Sequence, residues 1–91
     1  MKHKSLESSN IGSCNVLIFK PGEKIDKHFH RKGVEIEYVY KGSSSTHKEG
    51  KVYVWKKKQV HELINDSCNE LVIICLKIPK HDENDMNFIL K

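Results

Sequence analysis

The chain predicts a small all-β domain. Three observations carry this: short runs of β-branched and aromatic residues recur along it, glycine, proline or polar turns separate them, and no window holds a helical stripe. Its 91 residues form one domain, and at this size folding buries only a little over roughly 60% of the surface that the unfolded chain exposes. Oligomerisation or a bound metal is therefore an expected source of extra support.

Residues 1–12 read as a flexible N-terminal segment, and residues 13–91 as the folded domain. The first strand signal is the apolar run Asn15 to Phe19, closed by Pro21-Gly22. Val34 to Tyr40 follows, rich in β-branched and aromatic residues and ended by Gly42 and three serines. Val52 to Trp55 comes after Gly50, and Val60 to Ile64 precedes the turn-forming Asn65-Asp66-Ser67. The longest apolar run, Leu71 to Ile78, stops at Pro79. After the acidic stretch His81 to Asp85, Met86 to Leu90 reads as a last strand on the barrel or an arm laid on a partner subunit.

Composition removes several function classes. Apolar residues make up 37% and charged residues 31% of the chain, too polar for a membrane protein and too apolar for a disordered one. There is no transmembrane-length apolar run and no secretion signal, so the expected location is the cytoplasm and no membrane partner is expected. Cys14, Cys68 and Cys75 are odd in number and lack a C-x-x-C pair, which argues against a disulfide scaffold or thiolate zinc site. The net charge of +4 is spread over alternating lysines and acids; its densest cluster, Lys56-Lys57-Lys58, is too short for a nucleic-acid stripe.

The candidate chemistry starts at His28-Phe29-His30. On a strand these two imidazoles share a face, about 7 Å apart along the chain, close enough to hold one ion. A tight turn through Arg31-Lys32-Gly33 would bring Glu35 back on the adjacent antiparallel strand, facing the histidines. Two imidazoles and a carboxylate suit Fe, Mn, Ni or Zn as a divalent ion and leave positions open. His61, between Val60 and Leu63, is a candidate fourth ligand. By themselves, paired histidines on an exposed strand and a single glutamate are more commonly solvated residues.

The wider spacing separates the two readings. Gly22, His28, His30, Glu35 and Gly42 stand at the intervals of the first motif of the cupin superfamily, and Gly50, His61 and Asn65 match the second. The chain thus resembles a small single-domain cupin, with motif one at 22–42 and motif two at 50–65. That resemblance implies a double-stranded β-helix, or jelly-roll barrel, one divalent transition metal per chain, and His28, His30, Glu35 and His61 as its ligands. Two departures stand out: Lys56 and Lys58 replace the usual proline and glycine of the second motif, and only Ser43 to Glu49 separate the motifs. The turn before His61 must therefore use another backbone solution, and the intermotif hairpin is expected to be trimmed.

If Glu35 faces inward, alternation turns Glu37 and Val39 inward and Val34, Ile36, Tyr38 and Tyr40 outward. Glu37 becomes the candidate general acid or base, or a support for a ligand histidine. The outward stripe suggests a homodimer. Tyr53 and Trp55 share a face and are expected mainly to pack the core, while His47 reads as a solvated loop residue. Three functions fit: an isomerase, epimerase or lyase on a sugar derivative or a hydroxy or keto acid, a mononuclear non-haem iron dioxygenase, or a non-catalytic module holding a metabolite or metal. Glu37, Lys41 and His47 near the presumed mouth tilt the expectation toward a polar small-molecule partner.

Overall fold

In the computed structural model, which describes residues 1–89, 52% of the chain is in strands and no α-helix occurs among the described residues. The strands are β1 (Lys2–Ser8), β2 (Ser13–Phe19), β3 (Lys24–Phe29), β4 (Val34–Lys41), β5 (Val52–Trp55), β6 (His61–Ile64), β7 (Leu71–Ile78) and β8 (Asn87–Phe88). A short 3₁₀ turn at Glu83–Asp85 precedes the last strand. Every pairing is antiparallel; one sheet has the order β1-β2-β7-β4-β5 and the other β6-β3-β8. Among the described residues, no helix is long and apolar enough to cross a membrane. Leu90, at the end of the expected last strand, lies outside the described residues.

Residues 1–12 were expected to be loose. Instead Lys2–Ser8 pairs with β2 along its length. Every residue of β1 is exposed, so the strand has no buried face and no hydrophobic alternation to announce it; its order comes from the ladder with β2.

The five-stranded sheet fixes which side chains enter the barrel. β2 and β4 alternate strictly between buried and less buried positions at their inner ends, as a period of two requires. Cross-strand register then stacks the inward residues in rows. Ser13, Lys77, Glu35 and Trp55 form one row, and Asn15, Cys75, Glu37 and Tyr53 the next. Leu17, Ile73 and Val39 form a third, with Phe19 opposite Leu71 beyond it. Polarity is therefore sorted along the barrel axis: Leu17, Phe19, Val39, Leu63, Leu71 and Ile73 make the core at one end, the charged rows lie at the other, and Cys75 joins the core from within the Glu37 row.

The outward face agrees with the expected alternation. Tyr38 and Tyr40 are exposed, as are Val52 and Val54 on β5 and Leu76 and Ile78 on β7. Since Ile36 stands between Val54 and Leu76, and Tyr38 between Val52 and Ile74, the apolar surface runs continuously across three strands.

The two motif glycines Gly22 and Gly42 and the opening Gly50 all take positive φ, where a side chain is disfavoured. Lys58, standing where the second motif usually has glycine, takes φ 64° as well, and its N–H donates to the His30 carbonyl at 2.6 Å. The lysine thus adopts the backbone geometry of the glycine it replaces. A left-handed non-glycine residue costs about 1 kcal/mol or more, so Lys58→Gly is expected to raise Tm by about 4–8 °C in a domain of this size. An unchanged or lower Tm in a thermal scan counts against strain at this turn.

Candidate metal centre

His28 and His61 are direct cross-strand partners in the β3–β6 pair, and a register shift between Ile25 and His28 re-aims the histidine end of β3. His30 follows one residue past β3. Glu35 does not sit on a neighbouring strand of that sheet, as the tight-turn reading expected. Residues 30–33 carry the chain across to the five-stranded sheet, so Glu35 on β4 meets the histidines across the barrel interior. The crossing arises because β3 spends its two edges on β6 and β8, leaving no edge for β4.

The three imidazoles each offer a nitrogen within 4.8 Å of the others, and Glu35 Oε2 lies 3.1 Å from His30 Nε2 and 3.9 Å from His61 Nε2. His28, His30, Glu35 and His61 are all buried. The four residues selected by spacing are thus brought together at one end of the barrel.

Each ring is oriented by a backbone carbonyl. Nδ1 of His28 lies 2.7 Å from the Asp26 carbonyl, that of His30 3.0 Å from the Asp85 carbonyl, and that of His61 3.0 Å from the Gln59 carbonyl. A carbonyl only accepts, so Nδ1 carries the proton in all three rings and Nε2 presents a lone pair. His30 Nε2, Glu35 Oε2 and His61 Nε2 are buried without a hydrogen-bond partner. The 3.1 Å separation between His30 and Glu35 is short, but their alignment makes no hydrogen bond. Buried lone pairs that face one another are costly unless a cation lies between them, and three imidazole nitrogens with a carboxylate oxygen match a divalent transition ion.

Electrostatics hold Glu35 and His28 in ligating form. Burial opposes ionisation of Glu35, but His30, His61 and the Lys77 ammonium 3.3 Å away outweigh it and hold the carboxyl well below the usual range. Burial likewise pushes His28 down, favouring the neutral ring. For His61 burial acts the same way, but its contact with Glu35 prevails and raises it.

Glu37 points inward as alternation requires and is 3% exposed. Its Oε1 accepts from His47 Nε2–H at 2.8 Å and from Trp55 Nε1–H at 2.7 Å. Burial, reinforced by the charge of Glu35, pushes the Glu37 carboxyl up against the lowering effect of His47. Glu37 is not among the residues lining the cavities at this end. Trp55 in turn stacks on His61, ring centroids 5.0 Å apart and planes 6° from parallel, so the indole links Glu37 to a ligand ring rather than simply filling core. His47, expected to be solvated, is 1% exposed; its Nδ1 lies 2.7 Å from Thr46 Oγ1. Nothing in the loop sequence marks it, because its burial depends on Glu37 arriving from β4.

Two more residues escaped the sequence reading. Lys77 is the inward partner of Glu35; the alternation Leu71, Ile73, Cys75, Lys77 already assigned it to the interior. Asp85 is buried and clamps the turn after His30, its carboxylate accepting from the N–H groups of Arg31 (2.9 Å) and Lys32 (3.0 Å). Two cavities open beside the centre. One, of about 650 Å³, is lined by charged groups including His30, Lys32, Lys80 and Asp85. The other, of about 500 Å³, is lined by His28 with Leu17, Ile25, Met86 and Phe88 among others. Glu35, Lys77, His81 and Glu83 line both.

No protein-family model matches the chain, and no curated protein matches it in sequence. Solved structures do. An uncharacterised conserved protein with a double-stranded β-helix domain from Klebsiella pneumoniae aligns with TM-score 0.73 and 24% identity over 82% of this chain and 73% of that one. TT1209 from Thermus thermophilus gives 0.80 and 15% over 89% and 85%. KdgF from Halomonas sp. gives 0.78 and 18% over 90% and 81%. These likenesses show that the chain folds as a double-stranded β-helix.

Asp85→Ala removes the acceptor for two N–H groups at the turn that carries His30, and a hydrogen bond to a charged group contributes about 1.5–3 kcal/mol. A fall in stability of at least that size is expected in urea unfolding. A midpoint equal to wild type sinks the clamp.

Proposed function

We propose that the chain is a metal-binding single-domain cupin acting on a small polar metabolite, a sugar derivative or a hydroxy or keto acid, in isomerase, epimerase or lyase chemistry. The observation that carries this reading is the convergence of buried, unpartnered His30 Nε2, Glu35 Oε2 and His61 Nε2 beside His28. These four residues are the proposed ligands of one divalent ion, Fe, Mn, Ni or Zn. Such an ion supplies a Lewis acid that polarises a substrate oxygen. The Asp26, Asp85 and Gln59 carbonyls keep the ligand nitrogens aimed inward, and the barrel wall excludes bulk water. The His28→Ala/His30→Ala double variant is expected to lose the metal that elemental analysis finds in the wild type; full stoichiometry in the variant removes the assignment.

A second reading, a mononuclear non-haem iron dioxygenase, draws on the apolar lining of the 500 Å³ cavity beside His28. Native iron with substrate-dependent O₂ uptake favours it over isomerase or lyase chemistry.

For Glu37 we propose a positioning role in place of the acid–base role expected from alternation alone, since both its N–H donors come from the protein interior and it faces no cavity. Through Trp55 it sets the His61 ring. Glu37→Gln is expected to fold and to weaken metal affinity about 10–100-fold, the usual cost of losing support to a ligand. Unchanged affinity with abolished turnover restores the proton-transfer role.

The continuous apolar face over β5, β4 and β7 supports a homodimer as the partner state. Tyr38→Asp puts a charge at its centre and is expected to convert the dimer to monomer on size exclusion with light scattering. Identical mass for the two proteins removes this face as an interface.

A further inference from the structure

Among the described residues, Lys77 is the half-buried cation that lies against the proposed centre. Its side chain is 15% exposed, and Nζ lies 3.3 Å from Glu35 Oε2 and 2.9 Å from His81 Nδ1. His81 faces Lys77 on one side and the His3 ring, 6.3 Å away, on the other; burial and the Lys77 charge push it down, so the neutral ring accepts a hydrogen bond from the ammonium. An ammonium has three N–H donors. One is engaged by His81, Glu35 Oε2 lies in ion-pair range without making a hydrogen bond, and the remaining donors have no hydrogen-bond partner among the described residues. Lys77 lies where the charged and the apolar cavities meet, since it lines both.

Charge bookkeeping gives those remaining donors a purpose. A divalent ion, three neutral imidazoles, the Glu35 carboxylate and the Lys77 ammonium sum to a positive charge, and an ionised Glu37 still leaves a surplus. Acidic residues on the cavity wall offset part of this charge from a distance, and an anion seated on Lys77 and the ion would offset it within the centre itself. Its size and charge are bounded too. Asp82, Glu83 and Asp85 line the charged cavity together with Lys32 and Lys80, so its walls add one net negative charge, which favours a monoanion over a dianion such as phosphate. On the opposite side Leu17, Ile25, Met86 and Phe88 offer apolar surface to whatever the anion carries.

We propose that the metabolite is a carboxylic acid with an oxygen on the adjacent carbon and a short apolar tail: its carboxylate is held by Lys77 at the junction of the two cavities, and its tail lies against Leu17, Ile25, Met86 and Phe88. This rests on the metal-centre reading and narrows its substrate class.

The test uses the full chain reconstituted with Co²⁺, whose visible spectrum reports on the centre, with metal content measured on each sample. The probes are 2-hydroxyhexanoate, 2-hydroxyhexanamide, lactate and inorganic phosphate, titrated by calorimetry and absorbance. The acid is expected to bind at least about tenfold more tightly than its uncharged amide, and more tightly than tailless lactate or phosphate; a hydrogen bond to a charged group accounts for a difference of that order. Lys77→Gln is expected to retain cobalt and lose that preference, and Lys77→Arg to recover part of it. Equal binding of acid and amide by the cobalt-loaded wild type overturns the proposal while leaving the metal centre intact, and needs no variant to fold. Tighter binding of phosphate, equal binding of lactate, or an acid preference that survives in Lys77→Gln overturns it as well. A wild type that takes up no cobalt brings down the metal-centre reading and this proposal together.

Discussion

The antiparallel pairing of β4 with β7 at the middle of the five-stranded sheet is the constraint on which the rest depends. It sets Glu35 opposite Lys77, Glu37 opposite Cys75 and Val39 opposite Ile73. A slip of one residue would turn both carboxylates out of the barrel and bring Ile36 and Tyr38 in. The apolar rows resist that slip, because Val39, Ile73 and Leu71 are fully buried and their exposure is expensive. Hydrophobic packing at one end of the barrel thus holds in place, at the other end, a group of polar residues that packing alone would not tolerate.

That polar end divides its work among nested contacts. Backbone carbonyls set the tautomers of three imidazoles; Trp55 and Glu37 steady one of them from the side; Asp85 ties down the turn that carries another. The thiol of Cys75 lies within the same buried neighbourhood as Glu35 and Glu37, but burial and those two carboxylates raise it far above the thiolate range. It acts as a small apolar wall and not as a nucleophile. The contrast with Glu35 is instructive: equal burial yields an ionised group where cations and imidazoles lie close, and a neutral one where carboxylates do.

Much of this was legible in the sequence. Strands β2, β4, β5, β6 and β7 follow from runs of β-branched residues bounded by turn signals, and alternation alone turned Glu35, Glu37 and Val39 inward. The grouping of His28, His30, Glu35 and His61 was readable because two of them share a strand and spacing tied the others to them. What was hidden depends on partners distant in sequence. β1 has no buried face, so hydrophobic patterning says nothing about it. His47 is buried by Glu37, and Asp85 reaches back 54 residues to Arg31. The expectation that β3 and β4 pair as neighbours in one sheet failed for the same reason: a four-residue connection suits a hairpin or a crossing equally well, and the edges of β3 are claimed by β6 and β8 from elsewhere in the chain.

The stitching of β3 between β6 and β8 also orders events in time. A ribosome releases His28, His30 and Glu35 early, but the ladder that flanks His28 is completed only by Phe88, and the carbonyl that orients His30 belongs to Asp85. At elongation rates of about 5–20 residues per second, the early histidines spend several seconds on a nascent chain in which the rest of their enclosure does not yet exist. Any ion that these residues hold would thus be loaded only after synthesis, from the pool that meets the finished barrel.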